Sequence, residues 1–451
     1  MKTRRDFLKL AGLGAAGAVL FPRLEKATEG YPPSVTKNAP TDPPNILYMM
    51  SDQQRPDALG LGTNSVRTPA LDHLAGEGVR FDHMYVAQAV CTPSRASIFS
   101  GLYPHTRKLQ RNVYGIDNIL ADPHYKLGGV WPSLLRAAGY YTAYIGKWHL
   151  GEKSPPCFDE WHGYNSTLSH WVGKPQKSQY RSDLETDQAI EFLERNQTKR
   201  FALCVSYYPP HTPYDPPQKY TDLYAKGPLD PAAYWGAVTA IDNCVGRLME
   251  KLEALGLRER TLVIYTSDHG DHFGKRAGGS DHKEVPYEEC ARVPMILRLP
   301  GMFAGGKVRE ELVANVDIMP TILEVASVAI PRNLQGVSLV PLGRGAVKNW
   351  RTLVCTENCG GALANPGAHS RGIRTDHHKL ILRQHLSKGV PGLYELYDLE
   401  QDPQEKTNLF GKDQTEAIGK ILVQFEIWAQ ETDDTVGLEL AGKCRQILAG
   451  Y

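Results

Sequence analysis

This 451-residue chain predicts a large α/β domain, built on a mostly parallel sheet covered by helices on both faces, with a smaller antiparallel sheet plus a helix at its C-terminal end. Three observations carry that fold class. Short apolar runs ending in Ser-Asp recur at residues 45–52 and 261–268, as fully buried parallel strands do. Between residue 45 and about residue 345, strand-like runs alternate with helical stretches, the order that lays helices over a parallel sheet. Beyond about residue 345, short strand-like runs follow one another with only turns between them.

The elements follow in order. Asn45 to Met50 is an apolar run leading into Ser51-Asp52. Thr68 as N-cap and Pro69 at the first helical position open a helix that Gly78 ends, and Val79 to Val86 returns as a strand. Pro93 to Ser100 is helical, with Cys91 at its N-terminus and Gly101 at its close. Pro132 to Ala138 is a helix, and Tyr140 to Ile145 a strand leading into Gly146-Lys147. An amphipathic helix over Asp183 to Asn196 precedes a strand over Phe201 to Tyr207. The clearest helix begins at Asp230-Pro231, repeats Val238, Ile241, Val245, Leu248, Leu252 and Leu255 at steps of three and four, and stops at Gly256. Thr261 to Thr266 is a strand ending in Ser267-Asp268. Thr352–Thr356, Gly372–Arg374, Lys379–Arg383 and Leu393–Asp398 read as antiparallel strands, and residues 414–429 as the helix packed on them. No internal repeat is evident. Asp52, Lys147 and Asp268 all fall just beyond carboxyl ends of strands, where open α/β sheets bind their ligands.

The sequence divides at 1–27, 28–42, 43–344 and 345–451. Arg4-Arg5, then Phe7-Leu8-Lys9 and a mildly apolar Gly/Ala-rich stretch from Leu10 to Phe21, look like a bacterial twin-arginine (Tat) export signal, with Ala27 a plausible last residue. The stretch is too weak to span a bilayer. The expected partner is the Tat translocon, and the expected location the periplasm or the medium. Residues 28–42 form a polar, Pro-rich linker. A net charge of +1 argues against a surface that coats polyanions, so no nucleic-acid partner is expected, and a local basic pocket stays open. Eight Cys in so long a chain are no disulfide scaffold. Cys355 and Cys359 read as a candidate local disulfide in an oxidising compartment.

The segment Cys91-Thr92-Pro93-Ser94-Arg95, closing at Gly101, resembles the signature of the formylglycine-dependent sulfatases of the alkaline phosphatase superfamily. In that family a maturation enzyme oxidises the Cys of C-x-P-x-R to formylglycine, whose hydrate offers one oxygen to attack sulfur and a second to expel the product. No encoded side chain offers both. A Tat substrate crosses the membrane folded, so that maturation is expected in the cytoplasm. Further segments support the resemblance, which runs from about Asn45 to Leu409: Gly146-Lys147-Trp148-His149-Leu150-Gly151, Pro209-Pro210-His211-Thr212-Pro213-Tyr214, Lys283-Glu284-Val285-Pro286-Tyr287-Glu288 with Arg292-Val293-Pro294, and Leu393 to Leu399 with Asp402-Pro403 and Asn408-Leu409.

The resemblance implies that Asp52, Gln53, Asp268 and His269, with residue 91, hold a divalent cation, Ca²⁺ foremost. The family more often has Asp at the Gln53 position and Asn at the His269 position, and these departures widen the choice to Mn²⁺ or Mg²⁺. Arg95, one helical turn from Cys91, is implied to hold the hydrated aldehyde, Lys147 to contact the sulfate, and His149 to take the proton that releases it. His211 and Lys283 form the acid side that protonates the leaving alcohol. Glu288 suits a catalytic role and a structural ion pair equally. The substrate implied is a sulfated small molecule or carbohydrate. Specificity is expected from residues 157–177, with Trp161, His162, His170 and Trp171, and from His377 and His378, whose rings either stack on sugars or fill local cores. Two other readings stand beside this one: a formylglycine-dependent phosphonate monoester or phosphodiester hydrolase, and a non-catalytic protein that binds sulfated glycans.

Overall fold

The protein is seen in a computed structural model that describes residues 42–450 except 62–64, 120–128, 174–177, 226–230, 277–281, 346, 348, 360–368 and 385–392. The expected export signal and nearly all of the linker lie outside the described residues, as do Asp230 and the end of the 157–177 segment.

The central sheet has eight strands, β1 (Asn45–Asp52), β2 (Val79–Phe81), β3 (Tyr141–Lys147), β4 (Glu160–Tyr164), β5 (Phe201–Pro210), β6 (Thr261–Ser267), β7 (Met295–Arg298) and β8 (Lys307–Arg309), in the order β8-β2-β7-β6-β1-β5-β3-β4. From β6 to β4 every pairing is parallel; β7 runs antiparallel to both of its neighbours. β1 is central because each of its apolar residues is buried against one face of the sheet or the other. Leu47 and Met49 face α1 (Pro69–Glu77), α4 (Arg181–Asn196) and α5 (Ala232–Ala254), through Leu71, Phe192 and Ile241 among others. Ile46, Tyr48 and Met50 face α2 (Cys91–Ser100), α3 (Trp131–Ala137) and α6 (Ile318–Val325), through Phe99, Trp131 and Ile322. Each such fully buried aliphatic side chain contributes about 1.5–3 kcal/mol. The mostly parallel, doubly covered sheet is therefore as expected.

The C-terminal sheet is antiparallel, with β9 (Leu353–Cys359), β10 (His369–Thr375), β11 (His378–Arg383) and β12 (Leu393–Asp398) in sequence order. Ile373, Leu380 and Leu396 pack against Ile418 and Phe425 of α7 (Thr415–Glu431) and Leu440 of α8 (Thr435–Leu448). α8 was not expected: two helices, not one, cover this sheet.

Other corrections are local. The strand expected over 79–86 is β2 followed by a turn and a two-residue strand, Met84–Tyr85. The Thr68 side chain caps no backbone amide of α1; its hydroxyl bonds Asp72 instead. β5 continues to Pro210, three residues past its expected end. Cys355 is a free, buried thiol. It shares β9 with Cys359 four residues on, a separation of about 13 Å along a strand, beyond the reach of a disulfide.

Candidate active site

The chain uses the carboxyl edge of the parallel strands to gather its polar groups. Asp52 closes β1, Lys147 closes β3, and Asp268 and His269 follow β6. Cys91 opens α2, with its Sγ 3.2 Å from His269 Nε2 and 3.2 Å from Lys283 Nζ, while Lys147 Nζ lies at 3.7 Å and Asp52 Oδ1 at 3.8 Å. Close approach of β3 to β5 makes this possible: Gly146 has φ +99°, and a Cβ there would lie 2.1 Å from the Ser206 carbonyl oxygen.

Arg95 is fully buried under the cluster. Its Nε meets Asp268 Oδ2 at 2.8 Å and its Nη2 meets Asp52 Oδ2 at 2.8 Å, while Nη1 donates to the Lys147 carbonyl and to Ser206 Oγ. Four of its five N–H groups are thus committed to the frame, so Arg95 chiefly fixes the two carboxylates. Lys147 Nζ adds a bond of 2.6 Å to Asp52 Oδ2 and lies 4.3 Å from the centre of the Tyr208 ring.

The electrostatics follow from this crowding. Burial and the Cys91 sulfur push the Asp52 carboxyl up, but Lys147, His211 and Arg95 prevail and hold it well below the usual carboxylate range. Asp268 is pushed up to about 6, by burial and then by the charge on Asp52. Burial also opposes ionisation of Cys91, yet Lys147, Lys283 and His269 outweigh it and bring the thiol far below its ordinary value. The pocket is therefore arranged for a negatively charged atom at the end of side chain 91.

Asp52, Cys91, Asp268 and His269 each offer a buried ligand atom, all within 4.8 Å of one another. His269 donates from Nδ1 to the Gly270 carbonyl at 2.9 Å, so in its neutral form the ring carries its lone pair on Nε2, facing Cys91. Gln53 adds an amide oxygen on the same side, 3.3 Å from Lys283 Nζ. Two carboxylates, an amide oxygen and one imidazole nitrogen fit a hard divalent cation, and the nitrogen also admits Mn²⁺.

His149 and His211 flank the cluster differently. The His149 backbone, at φ +55°, is tied to Cys91's neighbour by the Thr92 hydroxyl, 2.8 Å from the His149 carbonyl oxygen. Its ring is buried, with neither nitrogen hydrogen-bonded among the described residues, and burial lowers its pKa. His211 donates from Nδ1 to the Thr212 carbonyl at 2.8 Å, and its Nε2 accepts from Lys283 Nζ at 2.9 Å. Burial and then the charges of Lys283 and Lys147 press the His211 pKa down to about 4.

All the expected site residues thus converge. Of the expected specificity residues, His170 and Trp171 lie beside the site and the others do not. Trp161, partly buried, packs against the core on Tyr144 and Trp148, and His162 is an exposed partner of Glu160. His377 is exposed and pairs with Glu400, and His378 begins β11. His170 does lie near the site, edge-on to Tyr208 and bonded to Asp215 at 2.7 Å, with the Trp171 indole donating to the Asp215 carbonyl. Glu288 is structural: it pairs with Lys379 at 2.6 Å and Arg292 at 3.3 Å. Sequence reading missed Ser206, Tyr208 and Asn315. The first two sit at the end of a buried strand, a place that already marked Asp52 and Lys147; Asn315, which holds Ser94 of α2 at 2.9 Å, carried no local signal.

The family model described as Sulfatase matches residues 44–328, well over half of the chain. The chain belongs to the sulfatase family. It is a sulfuric ester hydrolase. A second model, N-sulphoglucosamine sulphohydrolase, C-terminal, matches residues 279–431 of this sulfatase. The chain is 28% identical to the N-acetylglucosamine-6-O-sulfatase of Bacteroides thetaiotaomicron, covering 82% of this chain and 83% of that one. Among solved structures, one determined in complex with its substrate D-glucosamine-2-N,6-O-disulfate superposes with a TM-score of 0.73 at 25% identity, covering 87% of this chain and 99% of that one. The phosphonate monoester hydrolase of Agrobacterium radiobacter shares the fold alone, with a TM-score of 0.71 at 21% identity over 86% of this chain and 96% of that one. No helix among the described residues is long and apolar enough to cross a membrane.

Proposed function

We propose that this sulfatase removes sulfate from an ester on a sulfated carbohydrate, using formylglycine made from Cys91 and a divalent cation held by Asp52, Gln53, Asp268, His269 and residue 91. The observation that carries the reading is the placement of Cys91 Sγ, 3.2 Å from both His269 Nε2 and Lys283 Nζ, inside a buried cluster of metal-ligating atoms. A formylglycine hydrate supplies an oxygen nucleophile there, and the cation neutralises charge on the sulfate oxygens.

The chain's own side chains do the remainder. Lys147 and Lys283 bring two cationic Nζ atoms to the end of side chain 91, where they bind and orient an anionic ester. Arg95 fixes the two carboxylates from beneath. Lys283 and His211 share a hydrogen bond of 2.9 Å and hold a proton for the leaving alcohol. The His149 ring, which interacts with the Cys91 side chain, takes a proton from residue 91. The carbohydrate class rests on the relatives with sugar sulfates as substrates, and on His170, Trp171 and Asp215 beside Tyr208 as a polar and aromatic wall. Export to the periplasm or medium rests on the twin-arginine segment.

Turnover of matched aryl sulfate and aryl phosphonate esters, then of sulfated monosaccharides, tests the reading. Faster turnover of sulfate than of phosphonate is expected, lost by more than about tenfold on chelation or in Asp268→Ala. Preference for the phosphonate favours the rival hydrolase, and glycan binding without turnover in matured protein favours the binding protein.

A further inference from the structure

Gln53 is a ligand candidate with an ambiguity built into it, because the two ends of a side-chain amide have nearly the same shape and opposite hydrogen-bonding sense. Presented by its oxygen, it offers a lone pair to a cation; presented by its nitrogen, it offers two protons and repels one. The backbone of Gln53 is pinned at φ +71°, its N–H donating to Asp268 Oδ1 at 3.1 Å and its carbonyl accepting from the Tyr234 hydroxyl at 2.9 Å. That leaves the amide orientation to be decided at the far end of the side chain.

Asp271 sits at that far end, fully buried. Its Oδ2 accepts from Gln53 Nε2 at 2.7 Å and from the Tyr214 hydroxyl; its Oδ1 accepts from the Phe273 N–H at 2.7 Å and faces His282 Nδ1 at 3.2 Å. Its backbone is held as well, the N–H by the Glu289 carbonyl and the C=O by Arg55 Nη1. An ionised carboxylate only accepts, so this group can satisfy only the NH₂ end of Gln53. The opposite end, Oε1, is thereby turned towards Lys283 and the cluster.

We propose that Asp271 is a positioning residue for the cation site: by taking the NH₂ end of Gln53, it makes position 53 an oxygen ligand. The inference rests on the cation reading given above. In Asp271→Asn the side chain keeps one acceptor oxygen where the carboxylate has two. If that oxygen serves the Phe273 N–H, the NH₂ of the introduced amide faces Gln53 and turns its amide over, setting protons towards the cluster. A carboxylate at position 53 is the complementary partner for such an NH₂, with one oxygen bonded to it and the other free to ligate.

Isothermal calorimetry with Ca²⁺ on metal-stripped full-length protein tests this, with the wild type, Asp271→Asn, Gln53→Glu, Gln53→Glu/Asp271→Asn and Asp268→Ala prepared alike. Asp271→Asn is expected to weaken Ca²⁺ binding about 10–100-fold. Gln53→Glu alone, which sets a second carboxylate against Asp271, is expected to weaken it too, and the double variant to regain most of the loss. A merely structural role for Asp271 would not be rescued by a change at position 53. Unchanged affinity in Asp271→Asn, or a double variant no better than the worse single one, overturns the inference while the wild type still binds and Asp268→Ala does not. No Ca²⁺ binding by the wild type overturns the cation reading and this inference with it.

Discussion

At the scale of single residues, the site separates its two histidines by what each ring nitrogen already does. His211 has given Nδ1 to a carbonyl and Nε2 to the Lys283 ammonium, while neither ring nitrogen of His149 is hydrogen-bonded among the described residues. His211→Ala should therefore slow cleavage of poor leaving groups most. Across a series of aryl sulfates the loss should shrink as the leaving phenol becomes more acidic, since a good leaving group needs little protonation. A loss independent of the leaving group would remove His211 from the acid side. Residue identity at these positions was legible in the sequence, because each lies in a segment whose spacing carries chemistry. Asp271 was not: its meaning depends on Gln53, Tyr214 and His282, which only the fold brings together.

At the scale of elements, the strands of the central sheet determine how closely the clustered polar groups approach. β3 ends in Gly146-Lys147, and Gly146 lets it pass within contact of Ser206 on β5. Gly146→Ala puts a methyl group against a backbone carbonyl at a positive φ, so no side-chain movement relieves it. Its unfolding midpoint in denaturant should fall, and its kcat/KM should fall further than stability alone explains, because Lys147 moves with the strand. Wild-type kinetics in this variant would show that the close approach is dispensable. Elements with strong periodicity, such as α5, were legible to within a few residues. α8 was not, since Thr435–Leu448 contains two glycines and owes its start to the Asp434 side chain, which accepts from Gly437 N at 3.0 Å. The edge strand β8 is three residues long, too short for a pattern to mark.

At the scale of the whole molecule, the C-terminal sheet reaches back to the segment that carries Lys283. Lys379 of β11 is buried, with Nζ 2.6 Å from Glu288, 3.2 Å from Glu405 and 3.0 Å from the Pro286 carbonyl oxygen. Lys379→Ala strands two buried carboxylates and should cost about 3–5 kcal/mol in denaturant unfolding near neutral pH. Without the lysine's charge the Glu405 carboxyl, which burial already pushes up to about 7, rises further while Glu288 keeps Arg292, so the deficit should shrink as pH falls towards about 7. A deficit that grows on acidification would contradict this. The division into a parallel sheet and an antiparallel one was legible from the change in texture near residue 345, whereas the ion pairs that join them were not, because Glu288 and Lys379 lie far apart in sequence. The central claim, that the molecule is built around a modified residue 91, is tested most directly by the intact mass of fully active protein made in a host with a maturation enzyme. The account predicts the mass deficit of an aldehyde in place of the Cys91 thiol, absent from an inactive but folded Cys91→Ala. An unmodified thiol in fully active protein would contradict it.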